Sequence, residues 1–280
     1  MKKHIYLSIF LLLFVASCFC TNAQQQPIWK LIWSDEFNYT GLPDSAIWGY
    51  ETGHVRNKEQ QYYTRAQKEN VWVSNGMLSI TGKKQLVQNQ YYQPGSADWR
   101  YKNAVAHYTS ASINSLHKRS IHYGRVEIRA KLPTGGGIWP AFWLMGVNRE
   151  KIGWPLCGEI DMMEYIGNHP THLYSTVHYP DSTKQKSISN GSKILDSTLQ
   201  HQFNTYAMEW DIHTIKMFFN DLMIHRFEID IAGKGKDNPF RKPFYLLINL
   251  AMGASWPGPI DDTVLPQQLL VDYVRVFTLN

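Results

Sequence analysis

Cysteine is nearly absent from this 280-residue chain. Cys18 and Cys20 lie in the apolar N-terminal stretch, so Cys157 stands alone after it, with neither an internal disulfide nor a cysteine-based metal site to join. Among apolar neighbours it reads as a small buried residue rather than a reactive thiol. Charge of one sign is also scarce. The formal net charge is +5, of which Lys2 and Lys3 belong to the leader, and no Lys/Arg run appears, which argues against a nucleic-acid partner. Segments of helical period longer than about ten residues are missing too. The apolar run from Ile5 to Phe19 follows Lys2, Lys3 and His4 and reads as an export signal, too short and too N-terminal to span a membrane.

Two processing readings compete. Val15-Ala16-Ser17-Cys18 resembles a lipobox, which would place a lipid anchor on Cys18. Thr21-Asn22-Ala23 offers an ordinary small-residue cleavage site before Gln24, and the polar Gln24–Gln26 that follows favours it. Either way residues 1–23 are expected to be a signal peptide, residues 24–280 one domain, and the protein extracytoplasmic: secreted, periplasmic or a surface lipoprotein.

Aromatic residues, by contrast, are plentiful: 14%, with ten Trp and sixteen Tyr. Some belong in a core, and a surplus suits flat platforms for sugar rings. Strand patterns recur throughout. Val71–Val73 and Met77–Thr81 flank Asn75-Gly76, a pair that readily takes the positive φ values of a tight hairpin turn. Val126, Ile128, Ala130 and Leu132 alternate with Glu127, Arg129 and Lys131. Ile215–Phe219 and Leu222–Phe227 flank an Asn220-Asp221 turn, and Tyr245–Ala251 and Leu269–Phe277 are apolar runs of strand length. Polar loops are expected at Gln85–Asn103, Pro180–Ser197 and Gly233–Pro243, none of them an interdomain linker. The expected fold is all-β, an antiparallel two-sheet β-sandwich of jelly-roll type.

The chain's most informative stretch is WPLCGEIDMMEYIG, Trp154 to Gly167. Glu159, Asp161 and Glu164 sit there between apolar neighbours, where acids are paired, metal-bound or catalytic. Glu159 and Asp161 share a face of a strand, but Glu164, five residues after Glu159, falls on the other. A β-bulge at Met162-Met163 would absorb one residue and return Glu164 to the same side. The outer Cα atoms would then lie about 13 Å apart, and two inward-leaning Glu side chains could close to the ~5–5.5 Å of a retaining glycosidase. Like charges at that range raise one pKa, so one Glu serves as nucleophile and the other as general acid, with Asp161 between them. A solvated acidic face and a hard-cation site remain the other readings.

GEIDMMEYIG resembles the bulged E-x-D-x-x-E signature of glycoside hydrolase family 16. The resemblance continues through LIWSDEFN, NVWVSNGMLSITGKK, YGRVEIRAKLPTGGGIWPAFWLMG, FNTYAMEWD, PFYLLINLAMG and VDYVRVF, covering nearly all of the chain after the leader. It is nearest the laminarinase-like branch, endo-acting on β-1,3 or mixed β-1,3/1,4 glucans; lichenase-type and xyloglucan-active members typically lack the extra residue. The resemblance implies a concanavalin A-like jelly roll acting as a monomer on a β-glucan, with no cofactor for catalysis. It makes Glu159 the nucleophile, Asp161 its assistant and Glu164 the acid/base. It also implies sugar-binding roles for Asn57 in RNKEQQYYT, on the glycone side, for Trp139 and Trp143, for Trp154 and Trp256, and for His178 near the leaving-group sugar. A structural Ca²⁺ on the convex side would be held by Glu36, Asp272 and the backbone oxygen of Gly76. For Asp272, read as sharing a strand face with Leu270, Val274 and Val276, an ion pair with Arg or Lys is the competing reading. Two alternatives to the glucanase stay open: a relative cutting another polysaccharide such as a red-algal galactan, and a non-catalytic glucan-binding protein.

Overall fold

The computed structural model describes residues 28–279; the leader, its cleavage site and Cys18 lie outside the described residues. Seventeen strands, numbered along the chain, form two sheets. The inner sheet has seven, in the order β12 (Ser187–Leu195), β11 (His172–Pro180), β10 (Glu159–Tyr165), β9 (Ile138–Gly146), β16 (Phe244–Met252), β7 (Ser112–Asn114) and β2 (Gly49–Tyr50). The outer sheet runs β15 (Leu222–Glu228), β14 (Thr214–Phe219), β13 (Asn204–Trp210), β8 (Gly124–Lys131), β17 (Gln267–Leu279), β5 (Met77–Gln88), β6 (Val105–Ser110) and β3 (Gln61–Tyr63). β1 (Trp29–Asp35) also pairs with β17, and β4 (Val71–Ser74) with β5. The strand pairs are antiparallel except β3 with β6. This is the expected sandwich.

Period-two patterning closes the two layers. On β8, Val126, Ile128 and Ala130 are fully buried while their alternates are not. They join one core with Phe142 and Leu144 of β9, Ile160 of β10 and Leu246, Ile248 and Leu250 of β16. Each such aliphatic side chain contributes about 1.5–3 kcal/mol on burial. β16 is buried along its whole length because its other face also carries a load: Tyr245 and Leu247 pack beneath the open side of the inner sheet with Ala141, Trp143, Met145 and Cys157. Asn75 (φ 53°) and Gly76 (φ 71°) turn the β4–β5 hairpin, and Asn220 (φ 46°) and Asp221 (φ 66°) turn β14 into β15, as their residue types suggest.

Two expectations need correcting. The segment Pro180–Ser197 is no simple loop, since Ser187–Leu195 forms β12, paired along its length with β11. It is an edge strand, mostly half-buried or exposed, so its Ser, Asn and Lys residues carry no apolar alternation to betray it. Asp272 does not share a face with Val274 and Val276. The β17–β8 register slips between Val271 and Tyr273, so Leu269 and Val271 face the core before the slip and Val274 and Val276 after it, leaving Asp272 outside.

Candidate active site

β10 carries the three acids, and its bulge is where parity requires it. Glu159 pairs with Met145 and Asp161 with Trp143, but Glu164 pairs with Ala141, so five steps along β10 span four along β9. The extra residue is absorbed at Met162 and Met163, both of which turn into the core. Ser175 Oγ donates to the Met162 carbonyl at 2.8 Å, satisfying backbone that the irregular ladder frees. Glu159, Asp161 and Glu164 thereby line one cleft with Arg56, Asn57, Glu59, Trp139, Trp143 and Asn249.

The walls are held by a chain of buried polar contacts. Trp139 Nε1 donates to Glu164 Oε1 at 3.2 Å, so this indole positions the outer acid directly. Trp143 Nε1 donates to Asn249 Oδ1 (2.7 Å), Asn249 Nδ2 to the Tyr63 hydroxyl (3.1 Å), and that hydroxyl to Glu59 Oε2 (3.4 Å). Glu59 also accepts from Asn57 (3.1 Å) and Gln61 (2.7 Å), which fixes the loop bearing Asn57 against the cleft. Arg56, with its guanidinium carbon 4.8 Å from the centre of the Trp143 ring, is ion-paired to Glu51. Arg56 and Asn249 were not singled out from the sequence. Asn249 carried the same signal as the acids, a polar residue inside an apolar run; Arg56 carried none.

All three carboxyls are held above the ordinary carboxylate range, first by burial. Glu164 is raised furthest in kind, because the charges of Asp161 and Glu159 add to burial and only His178 and Trp139 oppose them. Glu159 is raised by burial and by Asp161, but Arg56, His178 and the Trp154 indole all favour its charged form. The cluster therefore gives up a proton from Glu159 more readily than from Glu164.

His178 sits opposite Glu159 on β11, with Nε2 3.1 Å from Asp161 Oδ2 and Nδ1 2.8 Å from Ser189 Oγ of β12. The Asp161 contact has ion-pair distance without hydrogen-bond alignment, which leaves Oδ2 buried and lacking a donor. Ligand atoms of Glu159, Asp161 and His178 lie within 4.8 Å of one another, a mixed nitrogen–oxygen set rather than the all-oxygen cage of a hard cation. Trp154 is half exposed at the rim beside His178, ring centres 6.4 Å apart. Trp256 packs edge-on against Trp139 (5.0 Å) and Tyr174 (5.1 Å), extending the aromatic wall past Glu164. Cys157 is buried, and burial pushes its thiol up to about 11.

The residues expected to hold Ca²⁺ are arranged otherwise. Glu36 accepts two hydrogen bonds from Arg275, at 2.9 and 2.8 Å, and Asp272 is ion-paired with Arg129. With each carboxylate turned to a guanidinium, the side chains as placed do not fit a calcium site; the geometry matches the ion-pair reading.

Paired acids on a bulged strand, in a tryptophan-walled cleft of a jelly roll, define a glycoside hydrolase. The chain belongs to glycosyl hydrolases family 16, whose family model matches residues 58–275. It is 36% identical to a β-glucanase of Rhodothermus marinus, over 99% of this chain and 96% of that one. Among solved structures, the laminarinase from Rhodothermus marinus is similar at 37% identity and TM-score 0.77, covering 91% of this chain and 100% of the other. A structure from a study of endo-acting O-glycanases of human gut microbiota that initiate mucin breakdown is similar at 37% identity and TM-score 0.84, covering 90% and 91%.

Proposed function

We propose that this protein is an endo-acting β-glucanase that cleaves internal β-1,3 or mixed β-1,3/1,4 linkages with retention. The observation that carries the reading is the placement of Glu159 and Glu164 on one face of β10, made possible by the bulge. Glu159 attacks the anomeric carbon as the glycosidic bond breaks, while Glu164 gives its proton to the departing oxygen. Water, deprotonated by Glu164, then releases the sugar from Glu159. Trp139 steers the Glu164 carboxyl, and Asp161 lies against Glu159, hydrogen-bonded to it. Trp143, Trp256 and Asn57 offer the sugar-binding surface; Trp154 and His178 flank the other end. The leader supports export, and no metal or cofactor is required by these steps.

A second reading has its own support. The O-glycanase structure superposes at TM-score 0.84, against 0.77 for the Rhodothermus laminarinase, so a mucin-type O-glycan is the competing substrate. Product profiles on laminarin, lichenan, xyloglucan, agarose and mucin-type O-glycans decide between them. Oligosaccharides released from laminarin, and lost in Glu159→Gln and Glu164→Gln by about three orders of magnitude or more, support the glucanase. Cleavage confined to the galactose-containing substrates would overturn the glucan assignment while leaving the mechanism standing.

A further inference from the structure

Glu59 lines the catalytic cleft and also a second cavity beside it, of about 260 Å³. That cavity is built by β6, by the end of the Gln85–Asn103 segment and by the residues after Asn57, with His54, Lys58, Trp99, Lys102, Asn103 and His107 around it. It lies on the Asn57 side of the acids; Gln60, also in its lining, hydrogen-bonds through its backbone N–H to the Met252 carbonyl at the end of β16.

Its lining carries two lysines and one acid, the buried Glu59. Lys58 and Lys102 are exposed and have no ion-pair partner among the described residues, while the nearby acids are already engaged. Asp98 binds Arg100 through several hydrogen bonds, Asp262 binds Lys84 and Tyr108, and the Glu59 carboxylate faces Asn57 and Gln61. Trp99 supplies an aromatic face, its ring centre 5.8 Å from that of His54. His54 Nδ1 is 3.0 Å from the Gln61 carbonyl, to which it donates, so the ring is fixed in orientation.

We propose that this cavity is a subsite for an anionic substituent, a sulfate ester or a carboxylate, on the glycan chain that occupies the cleft. Trp99 packs the sugar ring and the ammonium groups of Lys58 and Lys102 meet the charge. The inference rests on the reading of the cleft as a polysaccharide site, and goes beyond it in naming a charged substrate.

The test uses the full chain with Glu159→Gln, so that binding is read without cleavage. Its affinity is measured by calorimetry for laminarin, lightly sulfated laminarin and carboxymethyl-laminarin, at low salt and at high salt. At low salt a charged polymer should bind about three- to tenfold tighter than the neutral one. Lys58→Ala with Lys102→Ala should erase that difference and leave neutral laminarin unchanged, and high salt should erase it as well. A gain for the sulfated polymer alone assigns a sulfate site, for the carboxymethylated one alone a carboxylate site, and for both a site for negative charge. No gain, or a gain that survives loss of both lysines, overturns the proposal. If neutral laminarin is neither bound nor cut by the unmutated chain, the glucanase reading fails by itself. The same comparison on a sulfated galactose-containing polymer and its desulfated form then decides the subsite, with the same two outcomes.

Discussion

At the scale of single residues, the acids of β10 were conspicuous because their neighbours were apolar, and Asn249 was detectable by the same rule. What the residue types could not convey is how far burial biases each acid. Glu159 is held above its ordinary value of 4.5 in the folded state, chiefly by desolvation. An acid whose folded pKa is raised favours folding fully below its unfolded pKa, and that contribution is lost as pH climbs through the folded one. Glu159→Gln has no proton to lose. It should therefore match the parent more closely at pH 4 and exceed it in thermal stability at pH 8, as followed by calorimetric melts across that range. A gap that instead widens toward acid would contradict the burial argument. Activity should show the same signature, with the acid limb of kcat/KM lying above the ordinary carboxylate range because Glu159 must ionise first.

At the scale of the element, the register slips in β10 and β17 decide which way acids point, and only one could be inferred. The bulge in β10 was legible because three acids had to share a face, and parity failed without it. The slip beside Asp272 in β17 left no such conflict, since an acid on an apolar face could be rationalised by an ion pair. β12 was missed for a related reason: an edge strand needs only one paired neighbour and little burial, so its polar sequence resembles a loop. Parity also makes a prediction. Deleting Met163 restores regular alternation, keeping Glu159, Asp161 and Glu164 on the cleft face, so the protein should fold with a loss of about 2–5 kcal/mol for the missing core side chain. Urea melts of the deletion check this, and a deletion variant that fails to fold would refute the parity account.

At the scale of the whole molecule, ion pairs tie the outer sheet together. Glu36 and Asp272 are joined to Arg275 and Arg129, linking β17 to the segment after β1 and to β8. Guanidinium partners supply the neutralising charge that a bound ion would otherwise provide. Treatment with EDTA should therefore leave the melting temperature unchanged, and added Ca²⁺ should not raise it. Linkage requires any ion bound by the folded state alone to stabilise it, so a Ca²⁺-dependent rise would show that these side chains rearrange around one.

The amino-acid sequence by itself determined the all-β class, the main hairpins, the identity of the acid strand and the need for its bulge. Those features rest on period-two patterning and turn chemistry, which are local. Only the tertiary structure decided what approaches the acids: Arg56 from a loop far away in the chain, Asn249 from β16 and His178 from β11. It also decided that Asp272 leaves the core face and that Glu59 stands between the cleft and a second cavity bearing Lys58 and Lys102. These are contacts between segments remote in sequence, set by sheet order and register, and no local pattern records them. The carboxylates of Trp154 to Gly167 announced a chemistry; the sandwich determines the company in which they perform it.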